Sequence, residues 1–468
     1  MMRRLVLAAA LAAGGCTMGP HYRPPQPASG ATGGFIGGGG GAAPVPDAWW
    51  TLYDDPALGR LVDAAFAANT DLRAAEANLD SARAALAGTR AARLPTTTES
   101  AGTSYGRTST QGQIAGALGR EAKTDWTEAF GGDLAYEVDL FGRIRRSVEA
   151  ARADADAAAA ERDAVRVLVA SETIRAYVSA CAAAYQVDVA RRSADVALEQ
   201  KTIIARGYAA GGAARFDVAR TTTLLAQTRA AIPTLEGERR AALFALAAML
   251  GRTPDGVPHG AEMCRKPPEL SQALPVGDGA ALLRRRPDVR LAERRVAAAS
   301  ARIGVAEADL LPRISLLGSL STAAPAGVSL GTRASTSFGI GPFVSWSFPN
   351  LGAARARVAA ARAEDRAAVA RFDGTVVTAL KEVEQALARY AAALERAREL
   401  DAAEASARQA FELARGRHDA GAASQLDLLL SEQALIEAQA AVAQSRAQRT
   451  DLLVTLFKAL GGGWQRSS

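Results

Sequence analysis

The second half of this chain restates the first, and a repeat of that length calls for an architecture built from two matching supersecondary units. Asp71-Leu72-Arg73-Ala74-Ala75-Glu76 recurs as Asp288-Val289-Arg290-Leu291-Ala292-Glu293, and Leu94-Pro95 recurs as Leu311-Pro312, both 217 residues later. Further on the offset is 210: Leu140-Phe141-Gly142 matches Asn350-Leu351-Gly352, Gly211 matches Gly421, Asp217 matches Asp427, and Leu250-Gly251 matches Leu460-Gly461. The change of offset falls between the Pro and the Gly of each copy, so the two copies differ in length only there.

Those Pro-to-Gly stretches have period two. Leu134, Tyr136, Val138 and Leu140 alternate with Asp133, Ala135, Glu137 and Asp139; Phe338, Ile340, Val344, Trp346 and Phe348 alternate with Ser337, Gly339, Ser345 and Ser347. Alternation of this kind predicts strands with one apolar and one polar face. Two settings fit: lipid on one side and a watery lumen on the other, or a half-buried soluble sheet. Pro342 argues against a central position for its strand. In the membrane setting, β-hairpins in residues 95–142 and 312–352 supply four strands per chain. A bacterial barrel takes about eight or more, and lipid does not tolerate an open strand edge. Self-association then follows from the strand count.

Downstream of each hairpin the pattern turns helical. Residues 143–206 and 353–415 hold no proline and at most one glycine each, which predicts helices of roughly 95 Å at ~1.5 Å per residue. Beyond Gly211 and Gly421 heptads appear: Val218, Leu225, Ile232, Arg239 and Leu246 in one copy, Leu428, Leu435, Val442, Arg449 and Leu456 in the other. The companion positions Ser431, Ala438, Ser445 and Ala459 are small, which lets helix backbones approach closely. Pro233 has no counterpart and predicts a kink. A soluble antiparallel coiled coil fits the same periodicity.

Composition narrows the function. With 49% hydrophobic residues but only 5% aromatic ones, the core must be built from small side chains, which suits long packed helices. The net charge of +6 comes from 55 basic and 49 acidic residues that are interspersed, a solvated surface rather than a nucleic-acid footprint. His21, His259 and His418 belong to no nucleophile elbow, metal cluster or phosphate loop, so the chain reads as a non-enzyme without metal or cofactor. No Walker-type loop is present.

The N-terminus reads as an export signal over residues 1–15: Met1-Met2-Arg3-Arg4 is basic, the apolar run from Leu5 to Ala13 is too short to span a bilayer, and small residues precede Cys16. Cys16 is the expected site of lipid modification after cleavage. Ala13 stands where a leucine is usual, and Thr17 is compatible with passage to the outer membrane; an ordinary cleaved signal is the alternative. Residues 16–48 form a lipid-anchored Gly/Pro-rich linker, 49–264 the first repeat, 265–286 a connection, 287–463 the second repeat and 464–468 a tail. Cys181 and Cys264 are too few for a disulfide framework. Oxidation of the pair and a simple buried thiol at Cys181 both remain open.

Several ordered segments carry a resemblance that covers nearly the whole chain. They are Cys16-Thr17-Met18-Gly19-Pro20-His21-Tyr22-Arg23-Pro24-Pro25, Trp49-Trp50, Asp55-Pro56-Ala57-Leu58, Glu137-Val138-Asp139-Leu140-Phe141-Gly142-Arg143, and Arg285-Arg286-Pro287-Asp288-Val289-Arg290 followed by Ile303-Gly304 and Leu311-Pro312. In these the chain resembles the TolC-like outer-membrane efflux factors, in the lipoprotein branch that serves resistance-nodulation-division pumps.

The resemblance implies a membrane α+β fold. A homotrimer would form a twelve-stranded β-barrel in the outer membrane, continued by a long periplasmic α-helical coiled-coil barrel. It would work with a periplasmic adaptor and an inner-membrane pump as the exit duct for small molecules. Within the family the tunnel closes where the helical hairpins turn. Asp427 falls at an acidic ring of that constriction, and Asp217 is its repeat mate at a position that holds the turns closed. Arg415, Arg417 and His418 are candidate neighbouring cations. Leu430 stands where some members carry a second acidic ring, which suggests a partly apolar constriction. Asp427 also fits a capping box with Ser424. Rival classes are an exit duct for secreted polypeptide and, outside transport, a periplasmic coiled-coil adaptor or scaffold.

Overall fold

The computed structural model describes residues 17–27, 30–37, 46–107, 113, 115–119, 121, 124–270, 275–325 and 329–462. The expected signal peptide, Cys16 and the tail lie outside the described residues. The main elements are α1 (Pro56–Ala68), α2 (Thr70–Ala91), β1 (Thr96–Gly106), β2 (Asp125–Val138), α3 (Arg143–Ala209) and α4 (Arg215–Met249). They are followed by α5 (Gly279–Arg285), α6 (Pro287–Ala308), β3 (Arg313–Pro325), β4 (Thr336–Ser345), α7 (Gly352–Asp419) and α8 (Gln425–Ala459). The helices α3 and α7, of 67 and 68 residues, match the two proline-free stretches. Pro233 lies within α4, which continues through it.

The chain divides into two compact units, each drawing on both halves of the sequence. The first comprises residues up to Pro25, Leu79–Ala158 and Ala292–Phe372. It holds a sheet of four antiparallel strands in the order β1-β2-β3-β4. The register decides the character of its faces, because directly opposed residues in an antiparallel pair share a side. Phe130 lies opposite Thr322, Leu134 opposite Gly318, Tyr136 opposite Leu316 and Val138 opposite Ile314. Leu320, Gly318, Leu316 and Ile314 in turn oppose Phe338, Ile340, Pro342 and Val344. One face is therefore mainly apolar, and it is bare: Phe338 is 84% exposed and Ile340 72%. The other carries Asp133, Glu137, Ser315, Ser319, Ser321 and Ser337, with Leu317 and Phe343 as its apolar exceptions. Glu99 and Glu128 are the acidic exceptions on the apolar side, at positions paired with Gly132 and Thr103. Pro342 sits on β4, at the edge of the sheet, the kind of strand in which a proline is tolerated.

Below the strands the N-terminal segment is fastened to the same unit. Met18 N–H donates to Phe141 O at 3.1 Å, and the buried Arg146 donates to Met18 O and Gly19 O. A Cβ on Gly19 would come within 2.4 Å of Gly304 Cα, and one on Gly142, at φ +81°, within 2.6 Å of Thr17 Cγ2. Only glycine fits these crossings.

The second unit comprises Gln26–Asn78, Ala159–Leu291 and residues from Asp373 onward, and it contains the principal hydrophobic core. Trp49 is fully buried and stacks on Phe457 with ring centroids 4.4 Å apart. Leu58, Val62, Ile174, Val178, Leu246, Val383 and Leu456 close around them. Asp55 caps α1 by accepting from Ala57 N–H at 2.8 Å, and it also accepts from Tyr177 Oη–H at 2.8 Å. Cys181, fully buried on α3, is disulfide-bonded to Cys264, with Cα atoms 5.1 Å apart.

Candidate functional site

The two hairpin turns are built alike. In each, a glycine with positive φ, Gly211 (+82°) or Gly421 (+74°), follows the last helical turn. Gly211 N–H donates to Tyr208 O and Gly212 N–H to Gly207 O; Gly421 N–H donates to His418 O and Ala422 N–H to Arg417 O. This is the paired 5→2 and 6→1 bonding of a Schellman cap, and only a residue at ease in the left-handed region closes it without strain. The next helix then starts with an acid at its third position. Ser424 N–H and Ser424 Oγ–H donate to Asp427 Oδ2 at 3.1 and 2.6 Å, and Asp427 N–H donates back to Ser424 Oγ at 3.2 Å. In the first copy Asp217 Oδ2 accepts from Ala214 N–H at 3.1 Å, and alanine returns no side-chain bond.

Asp427 is thus held as a cap. Its pKa lies below the ordinary carboxylate value, first through the Ser424 hydroxyl, then through the Ser424 backbone N–H and the charge of Arg417. The cationic candidates do not bond to it directly: Arg417 donates to Ala422 O, His418 Nδ1 lies 3.3 Å from Ala423 O, and Arg415 pairs with Glu412. Arg417 and His418 brace the turn's carbonyls instead. Leu430 is half exposed, and the repeat mates Phe216 and Leu426 are exposed as well, so each acid has an exposed apolar residue directly before it in the chain.

The residue that sequence reasoning missed is Glu432, five positions beyond Asp427. It is 1% exposed, and neither carboxylate oxygen has a hydrogen-bond partner. Leu428, Leu435 and Phe411 form a buried cluster beside it, and a cavity of about 520 Å³ between α3, α7 and α8 carries Glu432, Arg408, Arg415 and Arg446 on its wall. Burial, and secondly the nearby charge of Glu199, push its pKa from 4.5 up to about 7. Arg408 pairs with Glu404, Arg415 with Glu412 and Arg446 with Tyr185, and Arg192 lines the same cavity.

Two long helical hairpins with capped turns and a sheet bare on its apolar face narrow the choice of family, and the sequence comparison decides it. Residues 61–252 and 280–462 match the outer membrane efflux protein family. The chain belongs to that family. Relatives include the outer membrane protein OprJ of Pseudomonas aeruginosa, 31% identical across 97% of this chain and 94% of that one. The solvent efflux pump outer membrane protein SrpC of Pseudomonas putida is 30% identical, with 99% of both chains covered. Among solved structures, the outer-membrane channel OprN superposes with a TM-score of 0.87 at 34% identity, over 96% of this chain and all of that one.

Membership in the efflux family gives the signature segments a physical reading in this chain. Trp49 is the centre of the main core. Arg286, 8% exposed, donates Nε–H and Nη2–H to Asp288, pairs with Glu382 at 2.8 Å and donates Nη1–H to Ala459 O. It joins the start of α6 to α7 and to the end of α8. Gly461, at φ +69°, lies where a Cβ would meet Arg286 Cγ at 2.9 Å.

Proposed function

We propose that this efflux family member is the outer-membrane exit duct of a tripartite pump, a conduit and not a catalyst. The observation that carries the proposal is the sheet: its register gathers most of the exposed apolar side chains on one face, and mainly small or acidic ones, with Leu317 and Phe343 among them, on the other. That division suits lipid outside and water inside. Four strands with two free edges need copies of the chain to close, and three copies give a twelve-stranded barrel. In this proposal signal peptide 1–15 is removed and Cys16 carries lipid. Thr17, next to it, packs on Gly142 at the foot of β2, so the anchor would enter the membrane beside the barrel. The repeats 49–264 and 287–463, with connection 265–286, supply the periplasmic hairpins. Asp427, Asp217, Arg417, His418 and Leu430 form the constriction, which docking of an adaptor and an inner-membrane pump opens. The pump provides the energy and selects the small-molecule cargo. Single-channel conductance with subunit cross-linking tests this. A cross-linked trimer whose conductance or cation selectivity changes in Asp427→Ala is expected; a monomer without conductance in either form overturns it.

A further inference from the structure

The Cys181–Cys264 bond has a topological consequence that the second repeat lacks. It spans 83 residues and so closes a covalent ring around the outer half of α3, the Gly211 turn and all of α4. The position matching Cys181 in the second copy, at the 210-residue offset, is Ala391, and the α7–α8 hairpin has no such tie among the described residues. Cys264 lies in the irregular stretch after α4. That stretch is otherwise held by the Tyr53–Leu270 bridge, by Ala261 in the core and by Arg239 donating to Glu262 O.

We propose that this bond is made during export by a periplasmic disulfide-donor protein, and that it clamps the base of the first hairpin while leaving the second free. Cys181 is fully buried once α3 packs, whereas Cys264 is part exposed. The Cys264 thiolate therefore attacks the donor's disulfide, forming a mixed disulfide and releasing one donor thiolate. The Cys181 thiolate then attacks Cys264 Sγ, forming the internal bond and expelling the donor's second thiolate. Two protons and two electrons leave the pair; the donor disulfide is reduced to a dithiol. The inference rests on the proposed export to the periplasm, since cytosolic thiols stay reduced.

The test is a thiol count on the full chain taken from cells without reductant, read in whichever membrane or soluble fraction holds it. Expected are a linked 181–264 peptide, two further thiols after reduction, and free thiols in cells lacking the donor. Hydrogen exchange then reads the clamp: reduction, or Cys181→Ala with Cys264→Ala, should speed exchange about tenfold over residues 240–264, while residues 450–459 stay unchanged. Free thiols in the chain from normal cells overturn the bond. Equal loosening of both hairpins overturns the clamp. Absence from the outer membrane with the bond intact refutes the proposed duct and leaves the bond standing.

Discussion

Glu432→Gln isolates the energetic cost of the buried carboxylate beside the hairpin turn. Glutamine keeps the shape and removes the charge. The rise of the Glu432 pKa from 4.5 to about 7 corresponds to about 3 kcal/mol at ~1.36 kcal/mol per unit. Because Glu432 borders a cavity that water can enter, solvent screening leaves roughly half of that, about 1–2 kcal/mol. The sign follows from linkage. The folded state holds the proton more tightly than the unfolded state, so this group's contribution is fully present below about 4.5 and is lost as pH rises through about 7. Glu432→Gln should match the wild type at pH 4.5 and be the more stable at pH 8. Hydrogen exchange over residues 425–440 is the local assay, with protection at pH 8 raised roughly ten-fold and little changed at pH 4.5. A pH-independent difference, or a variant that loosens at pH 8, refutes the reasoning and shows that the carboxylate has a charged partner in the assembled protein.

Three further outcomes are expected. Ser424→Ala removes the hydroxyl that both donates to and accepts from Asp427, and should cost about 1 kcal/mol, read as faster exchange at the start of α8 with the Asp427 charge retained. Ile340→Arg, on the exposed apolar face of β4, should cost ~2–4 kcal/mol in lipid and reduce the heat-stable oligomer in outer membranes, whereas Ser337→Arg on the opposite face should be tolerated. Gly461→Ala meets Arg286 Cγ at 2.9 Å at a positive φ and should lower stability by roughly 1–3 kcal/mol, seen as a lower Tm.

What the sequence made legible was local. The alternation through Phe338, Ile340 and Val344 needs only the two-residue period of a strand, and the turns at Gly211 and Gly421 announce themselves by glycine at the ends of long helical runs. Ser424 and Asp427 are three residues apart, so their cap was readable too. Glu432 was not. The heptad through Leu428 and Leu435 leaves it off the seam, and an acid there reads as solvated. It is buried because α8 meets a second neighbour, α3, on a face that a two-helix pattern does not count. The disulfide was left open for a like reason. Its 83-residue separation is bridged only by the path of the irregular segment after α4, which has no periodicity to read. The N-terminal fastening of Thr17 and Gly19 on Gly142 and Gly304 is tertiary in the same sense.

The alternatives of cap and gate for Asp427 are compatible, and the geometry says how. The three cap bonds use Oδ2 and the backbone N–H, and they favour the charged carboxylate, whose pKa is lowered. A group that caps in this way is therefore reliably anionic, as a constriction that draws cations requires. It is also tied to the first turn of α8, which follows closely on the Schellman cap that ends α7 at Gly421. In the proposed trimer three such charges would approach one another only when the hairpins converge, and their mutual repulsion would oppose the closed state. The exposed Leu426 and Leu430 at the same end supply the opposing tendency, since apolar surface is stabilised when copies cover it. Closure on this account is a balance between an apolar rim and a ring of fixed charge. Asp427→Ala alters both the charge and the cap, whereas Ser424→Ala weakens the cap and leaves the charge. Comparing their conductances separates the two contributions.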